Sequence, residues 1–164
     1  MGPAPERVAA FLEDEADLLD RRRWREWLAL FAPEAWYWVP VNAEQATPRD
    51  GPSHLYEMRP LMEARVERLY AARLIPQSPP SRTVRLLSRV REAPEEGLAH
   101  RAQARFVMVE SRVLHEADDE TEQRLLAGEI TWGLVEREGA LSILWKRVDL
   151  LNSEGGLRGL TVPL

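Results

Sequence analysis

The sequence contains no cysteine among its 164 residues. Disulfides, thiolate metal ligands, iron–sulfur ligation and a cysteine nucleophile are therefore excluded for this chain. Histidine is scarce as well, since His54, His100 and His115 are the three imidazoles and no two stand four residues apart. His54 forms a local group with Tyr56 and Glu57, but such spacing often arises by chance. Because a metal site needs ligands that converge, the sequence predicts no metal or cofactor site.

Signals of membrane, nucleotide-binding and nucleic-acid-binding proteins are also missing. No apolar run approaches the roughly 20 residues that span a bilayer, and residues 1–6 lack the basic and apolar regions of a signal peptide. Glu154–Gly159 is rich in glycine, but no helix follows it, so it is not a phosphate-binding loop. The net charge of −5 opposes binding to phosphate backbones. We therefore expect a cytoplasmic protein that binds neither membrane nor nucleic acid.

The composition is that of a soluble globular protein, with 45% hydrophobic and 30% charged residues. A length of 164 residues is close to the usual size of one domain, and no repeat or low-complexity segment divides the chain. We predict a single domain over residues 1–164.

Apolar spacing predicts three helices in the first half of the chain. One is expected over residues 5–20, a shorter one from Trp24 that Pro33 cannot extend, and a third that begins near Met58 and ends before Pro76. The residues that carry these patterns recur at steps of three and four: Val8, Phe11, Leu12, Ala16 and Leu19, then Trp24, Trp27, Leu28 and Phe31, then Met58, Met62, Val66 and Leu69.

Strands and loops are predicted around these helices. Residues 36–39 are strong β formers and indicate a short strand, whereas residues 42–53 are poor in apolar side chains and carry Pro48, Gly51 and Pro52, which indicates a loop. Residues 77–80 predict a rigid connector, because each proline fixes its own φ and restricts the residue before it.

From residue 81 the hydrophobic period changes to two, which predicts four antiparallel strands. Their apolar faces are Val84, Leu86 and Val90, then Ala102, Ala104, Phe106 and Met108, then Leu126, Ile130, Trp132 and Leu134, then Leu141, Ile143 and Trp145. Each alternating strand has one apolar side that must be covered. The predicted fold is therefore α+β, with three N-terminal helices packed against a strongly curved, mainly antiparallel sheet.

Arginines alternate with these apolar positions and predict a basic stripe on the outer side of the sheet. The stripe comprises Arg85, Arg89, Arg91, Arg101 and Arg105. One interpretation is a solvated face, where an exposed ion pair contributes only about 0–1 kcal/mol. The other is an interface at which the arginines bind carboxylates of a partner in bidentate geometry.

The six tryptophans divide into two groups. Trp24, Trp27, Trp132 and Trp145 fall on otherwise apolar faces, which predicts that they pack in the core. Trp36 and Trp38 share one strand face, and aromatic residues are enriched at protein interfaces. The interface candidates are therefore Trp36, Trp38, Arg82, Arg85, Arg89, Arg101 and Arg105.

Four segments together resemble a known family. They are residues 8–40, which run from an acidic helix through a basic elbow to an aromatic strand, His54–Arg59 with the helix after it, Pro79–Thr83, and Trp145–Asn152. In order and spacing they resemble the small (beta) subunit of bacterial aromatic-ring-hydroxylating dioxygenases. That family has the cystatin-like cone fold of nuclear transport factor 2, scytalone dehydratase and ketosteroid isomerase.

The resemblance implies a non-catalytic structural subunit in the degradation of aromatic compounds. The chain itself would hold no cofactor and have no active site. Its partners would be the large (alpha) subunit, which carries a Rieske iron–sulfur cluster and a mononuclear iron, and further copies of itself, as a trimer within a heterohexamer.

An alternative function uses the same fold. In this alternative, four residues would converge inside the cone and transfer protons: Asp20, Tyr37, His54 and Tyr56. The Asp20 carboxylate would be the general base, and the tyrosine hydroxyls would polarise a substrate carbonyl. The chain would then be a stand-alone isomerase or dehydratase. Otherwise both tyrosine rings are buried with locally satisfied hydroxyls, and Asp20 ends a helix in solvent.

Overall fold

The computed structural model describes residues 5–71, 80–115, 120–155, 159–160 and 162–164. Most of the connector predicted at residues 77–80 lies outside these ranges. None of the described helices is long and apolar enough to cross a membrane.

Three helices and six strands make up the described fold. The helices are α1 (Pro5–Asp20), α2 (Trp24–Ala29) and α3 (Arg59–Ala71), and the strands are β1 (Phe31–Pro40), β2 (Ser53–Met58), β3 (Arg82–Ala93), β4 (His100–His115), β5 (Glu120–Arg137) and β6 (Ala140–Leu150). The sheet order is β2-β1-β6-β5-β4-β3; β1 and β6 are parallel and every other pair is antiparallel. The predicted α+β fold with a curved, mainly antiparallel sheet is confirmed.

The boundary between α1 and α2 is fixed by backbone geometry at the basic elbow. Arg22 has a φ of +57°, in the left-handed region, and the Arg23 amide donates to the Leu18 carbonyl at 2.8 Å. A left-handed residue followed by this hydrogen bond is a common way to end a helix. The chain therefore turns directly into α2.

The structure corrects the predictions for residues 31–58. Phe31 belongs to β1 rather than to the second helix, which ends before Pro33 as predicted. Pro33 itself lies in β1 and is tolerated because neither neighbouring strand pairs with it. His54 and Met58 lie in a strand, β2, which the helical spacing of Met58 with Met62 concealed. The third helix starts one residue later, so Pro60 lies in its first turn, as predicted.

The hydrophobic core lies between the helices and one side of the sheet, which we call the inner face. Strands β4 and β5 pair without a register shift from Ala102 to Met108, and their predicted apolar faces are buried there: Ala102, Ala104, Phe106 and Met108 of β4, and Leu126, Ile130, Trp132 and Leu134 of β5. The opposite side of the sheet, which none of the three described helices covers, is the outer face.

A β-bulge in β3 reverses the alternation of that strand. Ser88 pairs with Arg105 and Arg91 pairs with Gln103, so two residues, Arg89 and Val90, oppose a single residue of β4. Arg89 adopts a φ of +55° at this point. Before the bulge Arg85 faces inward, and after it Arg91 faces outward with Arg105.

The predicted faces of β3 are therefore wrong before the bulge and correct after it, where Val90 packs against the core and Arg91 faces outward. Val84 and Leu86 are paired with outer-face residues of β4 and are 61% and 67% exposed, while Arg85 is 9% exposed on the inner face. The sequence period alone placed Arg85 on the outer side with Arg89 and Arg91.

A second bulge, in β6, moves Trp145 out of the predicted core. Ile143 pairs with Leu134 on the inner face, but Trp145 pairs with Gly133 on the outer face, which leaves Leu144 as the extra residue. The prediction that Trp145 is a core residue is wrong, whereas Trp24, Trp27 and Trp132 are buried in the core as predicted.

Candidate functional site

A buried ion pair occupies the centre of the inner face. The Lys146 ammonium donates to Glu15 Oε1 at 2.6 Å, and both side chains are buried. The same carboxylate accepts hydrogen bonds from the indole nitrogens of Trp27 and Trp132, each at 2.9 Å. Burial lowers the pKa of Lys146 and the Glu15 carboxylate opposes that shift. The Glu15 carboxylate therefore accepts hydrogen bonds from three donor groups within the core.

A second ion pair lies beside the first. Arg85 forms a salt bridge with Asp20 and donates to the Pro163 carbonyl. Asp20 also accepts from the Thr83 hydroxyl at 2.8 Å and from the Arg85 amide at 2.7 Å. Burial lowers the pKa of Arg85, with Asp20 acting in the opposite direction. Asp20 therefore anchors α1 to β3 through three donor groups.

Tyr37 completes the polar interior. Its hydroxyl accepts a hydrogen bond from the Leu164 amide at 2.9 Å, and complete burial raises its pKa above the usual value. The cavity that remains beside Glu15 and Lys146 has a volume of about 10 Å³, about enough for one water molecule. Among the described residues, the polar groups of this interior are bonded to one another except for Arg85 Nε, and the cavity beside Glu15 and Lys146 is too small for a substrate.

The structure does not bring the four alternative catalytic residues together. Tyr37 faces the core and Asp20 bonds to β3 at the inner face, whereas His54 and Tyr56 alternate onto the outer side of β2. The His54 ring lies 2.7 Å from the Ser153 carbonyl, and Tyr56 is 44% exposed. No group of three or more His, Asp or Glu residues able to hold a metal occurs within the described ranges.

The outer face is organised differently, in three zones. The first is an aromatic zone formed by Trp36, Trp38 and Trp145. Trp36 stacks on Trp145 with ring centroids 5.4 Å apart, and Arg147 lies over the Trp38 ring at 4.6 Å. Gly133 makes room for Trp145, since a Cβ there would lie 2.1 Å from the indole nitrogen.

A polar cavity of about 520 Å³ opens beside the aromatic zone. Its wall includes Arg101, which pairs with Glu95 at 3.4 Å, and Arg147, which pairs with Asp149 at 2.8 Å. Trp38 is nearly fully buried here, because Arg147 covers its ring and the Ser53 hydroxyl accepts its N–H. Of the two tryptophan candidates, Trp36 is therefore the more accessible.

The second zone is an arginine zone made of Arg89, Arg91 and Arg105. The three line a small cavity of about 70 Å³ together with Gln103 and Glu129. In the part of the chain that the structure describes, none of the three arginines has an ion pair or a side-chain hydrogen bond. Glu129 accepts a hydrogen bond from Gln103.

The third zone is an apolar stripe across three neighbouring strands. It consists of Val84, Leu86, Val107, Val109 and Leu125, which are 38–67% exposed. Val84 pairs with Val109, which pairs with Leu125, and Leu86 pairs with Val107. Arg82 is exposed at the end of β3 beside this stripe. Contiguous exposed apolar residues mark a surface for interaction.

Sequence reasoning missed both the apolar stripe and the interior ion pair. Lys146 stands in an aromatic strand, and Glu15 differs from its exposed neighbours Glu13 and Asp14 only in falling on the apolar side of α1. That position was the one signal that could have identified Glu15. For the stripe, Val107, Val109 and Leu125 gave a signal, because they alternate with predicted buried residues, whereas Val84 and Leu86 look like core residues of β3.

Residues 14–154 match the protein family described as the ring hydroxylating beta subunit. The chain belongs to this family. The match confirms the resemblance inferred from the sequence, and it covers α2, α3 and all six strands, including both faces of the sheet.

Two relatives in the family illustrate the similarity. The chain is 39% identical over 88 residues to the 2-halobenzoate 1,2-dioxygenase small subunit of Burkholderia cepacia, covering 51% of this chain and 53% of the relative. It is 30% identical over 98 residues to the benzoate 1,2-dioxygenase subunit beta of Acinetobacter baylyi, covering 57% and 58%. These matches span about half the length of the relatives.

A solved structure in the family supports the fold. The beta subunit of the benzoate 1,2-dioxygenase from Burkholderia mallei superposes with a TM-score of 0.71 at 24% identity, covering 88% of this chain and 89% of that one. The cone fold expected from the resemblance is therefore confirmed.

Proposed function

We propose that this chain is a structural subunit of an aromatic-ring-hydroxylating dioxygenase and acts by assembly. The observation that carries the proposal is the contrast between a filled inner face and an open outer face. On the inner face Glu15 and Lys146 are buried beside a cavity of about 10 Å³, while the exposed aromatic, arginine and apolar zones lie on the outer face. Family membership supplies the kind of complex.

The proposed partner is the large subunit, which would hold the Rieske cluster and the mononuclear iron. The residues of this chain do not suit either group: cysteine is absent, and the described part of the chain has no converging set of His, Asp or Glu ligands. Its contribution would be to fix the distance and orientation of the large subunits. Iron chemistry therefore has no step on this chain.

The finer organisation is also a proposal. We infer a single domain that associates with itself as a trimer within a heterohexamer in the cytoplasm. Identical chains usually close into rings by rotational symmetry, which a three-fold arrangement satisfies. Five of the predicted interface candidates lie on the outer face or at its edges and therefore remain candidates: Trp36, Arg82, Arg89, Arg101 and Arg105.

Co-expression tests this function. The chain is produced alone and together with a large subunit from a neighbouring gene, and both preparations are analysed by affinity purification and metal analysis. Product formation from an aromatic substrate is measured with O2 and an added electron donor. We expect iron and turnover with the pair, and neither with the chain alone. Stoichiometric iron or turnover of a small ketone by the chain alone would overturn the proposal, as would failure of the two chains to co-purify.

A further inference from the structure

A short segment beyond β6 lies inside the fold rather than on its surface. Val162, Pro163 and Leu164 are buried, yet none of them belongs to a helix or a strand. Within the described ranges, these three residues make no main-chain hydrogen bond to the main chain of another element. The segment is held by apolar packing and by side chains of the inner face, which is how a protein holds a bound ligand.

Two side chains of the inner face bind the peptide groups of this segment. The Arg85 guanidinium donates to the Pro163 carbonyl, and the Leu164 amide donates to the Tyr37 hydroxyl at 2.9 Å. The Leu164 side chain is 1% exposed and lines what remains of the interior cavity, about 10 Å³. The site therefore recognises three groups together: a carbonyl acceptor, an N–H donor and a branched aliphatic side chain.

The site also contains a donor that the segment does not use. Only 3% of the Arg85 side chain is exposed, and its Nε has no hydrogen-bond partner among the described residues. Arg85 lines the same small cavity as Leu164. A buried donor without an acceptor lowers stability, so the segment fills the site without satisfying every group in it.

We propose that Val162–Leu164 occupies a ligand site of the inner face, and that a small secondary amide with a branched aliphatic group binds there in exchange for the segment. The acidic and basic side chains of the two interior ion pairs balance each other. A charged ligand would therefore bring an unpaired charge into the core, which favours a neutral amide. Assembly requires no such ligand, so the inference goes beyond the proposed function and is tested separately from it.

Exchange is a competition between the segment and the ligand for one site. The segment belongs to the same chain, so it competes at a high effective concentration. The apparent affinity for a ligand is reduced in proportion to the fraction of chains in which the site is open. Weakening the contacts of the segment should therefore strengthen ligand binding.

The first test is amide hydrogen exchange of the full wild-type chain, measured by NMR with and without N-acetyl-prolyl-leucinamide. This probe carries the carbonyl, N–H and isobutyl groups that Pro163 and Leu164 place in the site. The Leu164 amide loses its bond to Tyr37 when the probe takes its place, so its exchange should accelerate at least about tenfold. The core amides of β4 and β5 should not exchange faster. A probe that does not bind, or that binds while the Leu164 amide stays protected, would overturn the proposal, as would faster exchange throughout the core.

Leu164→Ala tests the competition directly. It weakens the packing of the segment, so the apparent Kd for the probe should fall at least about tenfold in isothermal titration calorimetry. The matched control is Leu151→Ala, which shortens a leucine that is 84% exposed in the turn after β6 and should bind the probe like the wild type. Equal affinities of Leu164→Ala and the wild type would contradict an exchange.

An ester analogue of the probe tests how the N–H group is recognised. Oxygen in place of the leucine nitrogen removes the donor to the Tyr37 hydroxyl, so the ester should bind the wild type at least about fivefold more weakly than the amide. Tyr37→Phe removes the acceptor and should bind the two probes alike. Equal binding of both probes to the wild type, or a difference that persists in Tyr37→Phe, would rule out the proposed site.

Discussion

The two faces of the sheet treat charged residues in opposite ways. On the inner face, Glu15 is paired with Lys146 and Asp20 with Arg85, and each carboxylate accepts hydrogen bonds from several donors. On the outer face, Arg89, Arg91 and Arg105 gather beside exposed apolar residues, and none of the three has an ion pair within the described segments. A face whose polar groups are already bonded holds the fold together, and a face with unsatisfied ones is suited to another chain.

Arg85 and Arg91 show how little separates these roles. They are the same residue type on the same strand, six positions apart, and an unbroken alternation would place them on one face. The bulge between them leaves Arg85 in the core and Arg91 outside. Substitutions at the two positions should therefore change the free energy of unfolding by very different amounts.

Replacing Arg85 should be far more damaging than replacing Arg91. Arg85→Glu removes the partner of Asp20 and buries a second carboxylate beside it, so we expect a loss of at least about 4 kcal/mol in the free energy of unfolding. Arg91→Glu should change it by no more than about 0.5 kcal/mol. Urea denaturation at a fixed protein concentration measures both; equal losses would contradict the inward and outward assignment.

Glu15→Gln should destabilise the chain by about 3–5 kcal/mol at pH 7, because it leaves Lys146 buried without a counter-charge. Burial already lowers the pKa of Lys146, and removing the carboxylate should lower it further. The unfolded chain then binds one more proton than the folded chain from the folded pKa up to about 10.4, so stability rises with pH there. The loss should therefore shrink as pH increases in urea titrations, and a loss independent of pH would contradict this account.

Gly133→Ala tests how the outer face is packed. The added methyl group would displace the Trp145 indole, at a cost of about 1–3 kcal/mol. In a Trp145→Ala background the same substitution should cost almost nothing, since the clashing ring is gone. A double-mutant cycle by chemical denaturation measures this coupling. A penalty that persists without the ring would place the strain in the backbone instead.

Tyr37→Phe should cost about 1 kcal/mol at neutral pH, because the buried Leu164 amide loses its hydroxyl acceptor, and it should also change how stability depends on pH above pH 10. Burial raises the pKa of Tyr37, so the folded chain keeps its proton above pH 10 while the unfolded chain loses it. The contribution of this raised pKa to the free energy of unfolding is fully present below pH 10. It is lost as pH rises further, by up to about 1.4 kcal/mol per pH unit. We expect a shallower alkaline loss in the variant, measured between pH 9 and 11. Parallel curves for the two proteins would mean that the hydroxyl reaches solvent.

Much of the fold could be predicted from the sequence. The helical spacing of Val8, Leu12 and Leu19 marked α1 to the residue, and the alternation in β4 and β5 identified the buried side of both strands. These predictions succeeded because each depends on a local period that nothing interrupts. Strand β2 was missed because six residues that include His54 and Glu57 carry only a weak alternating pattern.

The sites were harder to predict, because they depend on partners distant in sequence. Glu15 and Lys146 are 131 residues apart, and no local pattern joins them. Asp20 was expected in solvent or at a catalytic centre, yet it binds a strand 65 residues away. Charge placement of this kind follows from which elements pack together.

The sequence by itself determined the types of most elements, the α+β class and the absence of cysteine chemistry, since composition and local periodicity suffice for these. Only the tertiary structure decided which face each arginine and tryptophan occupies in β3 and β6. The physical reason is that a bulge adds one residue opposite a partner strand and reverses every side chain beyond it. Its position is set by pairing across the sheet, where Arg105 meets Ser88 and Gly133 accommodates Trp145.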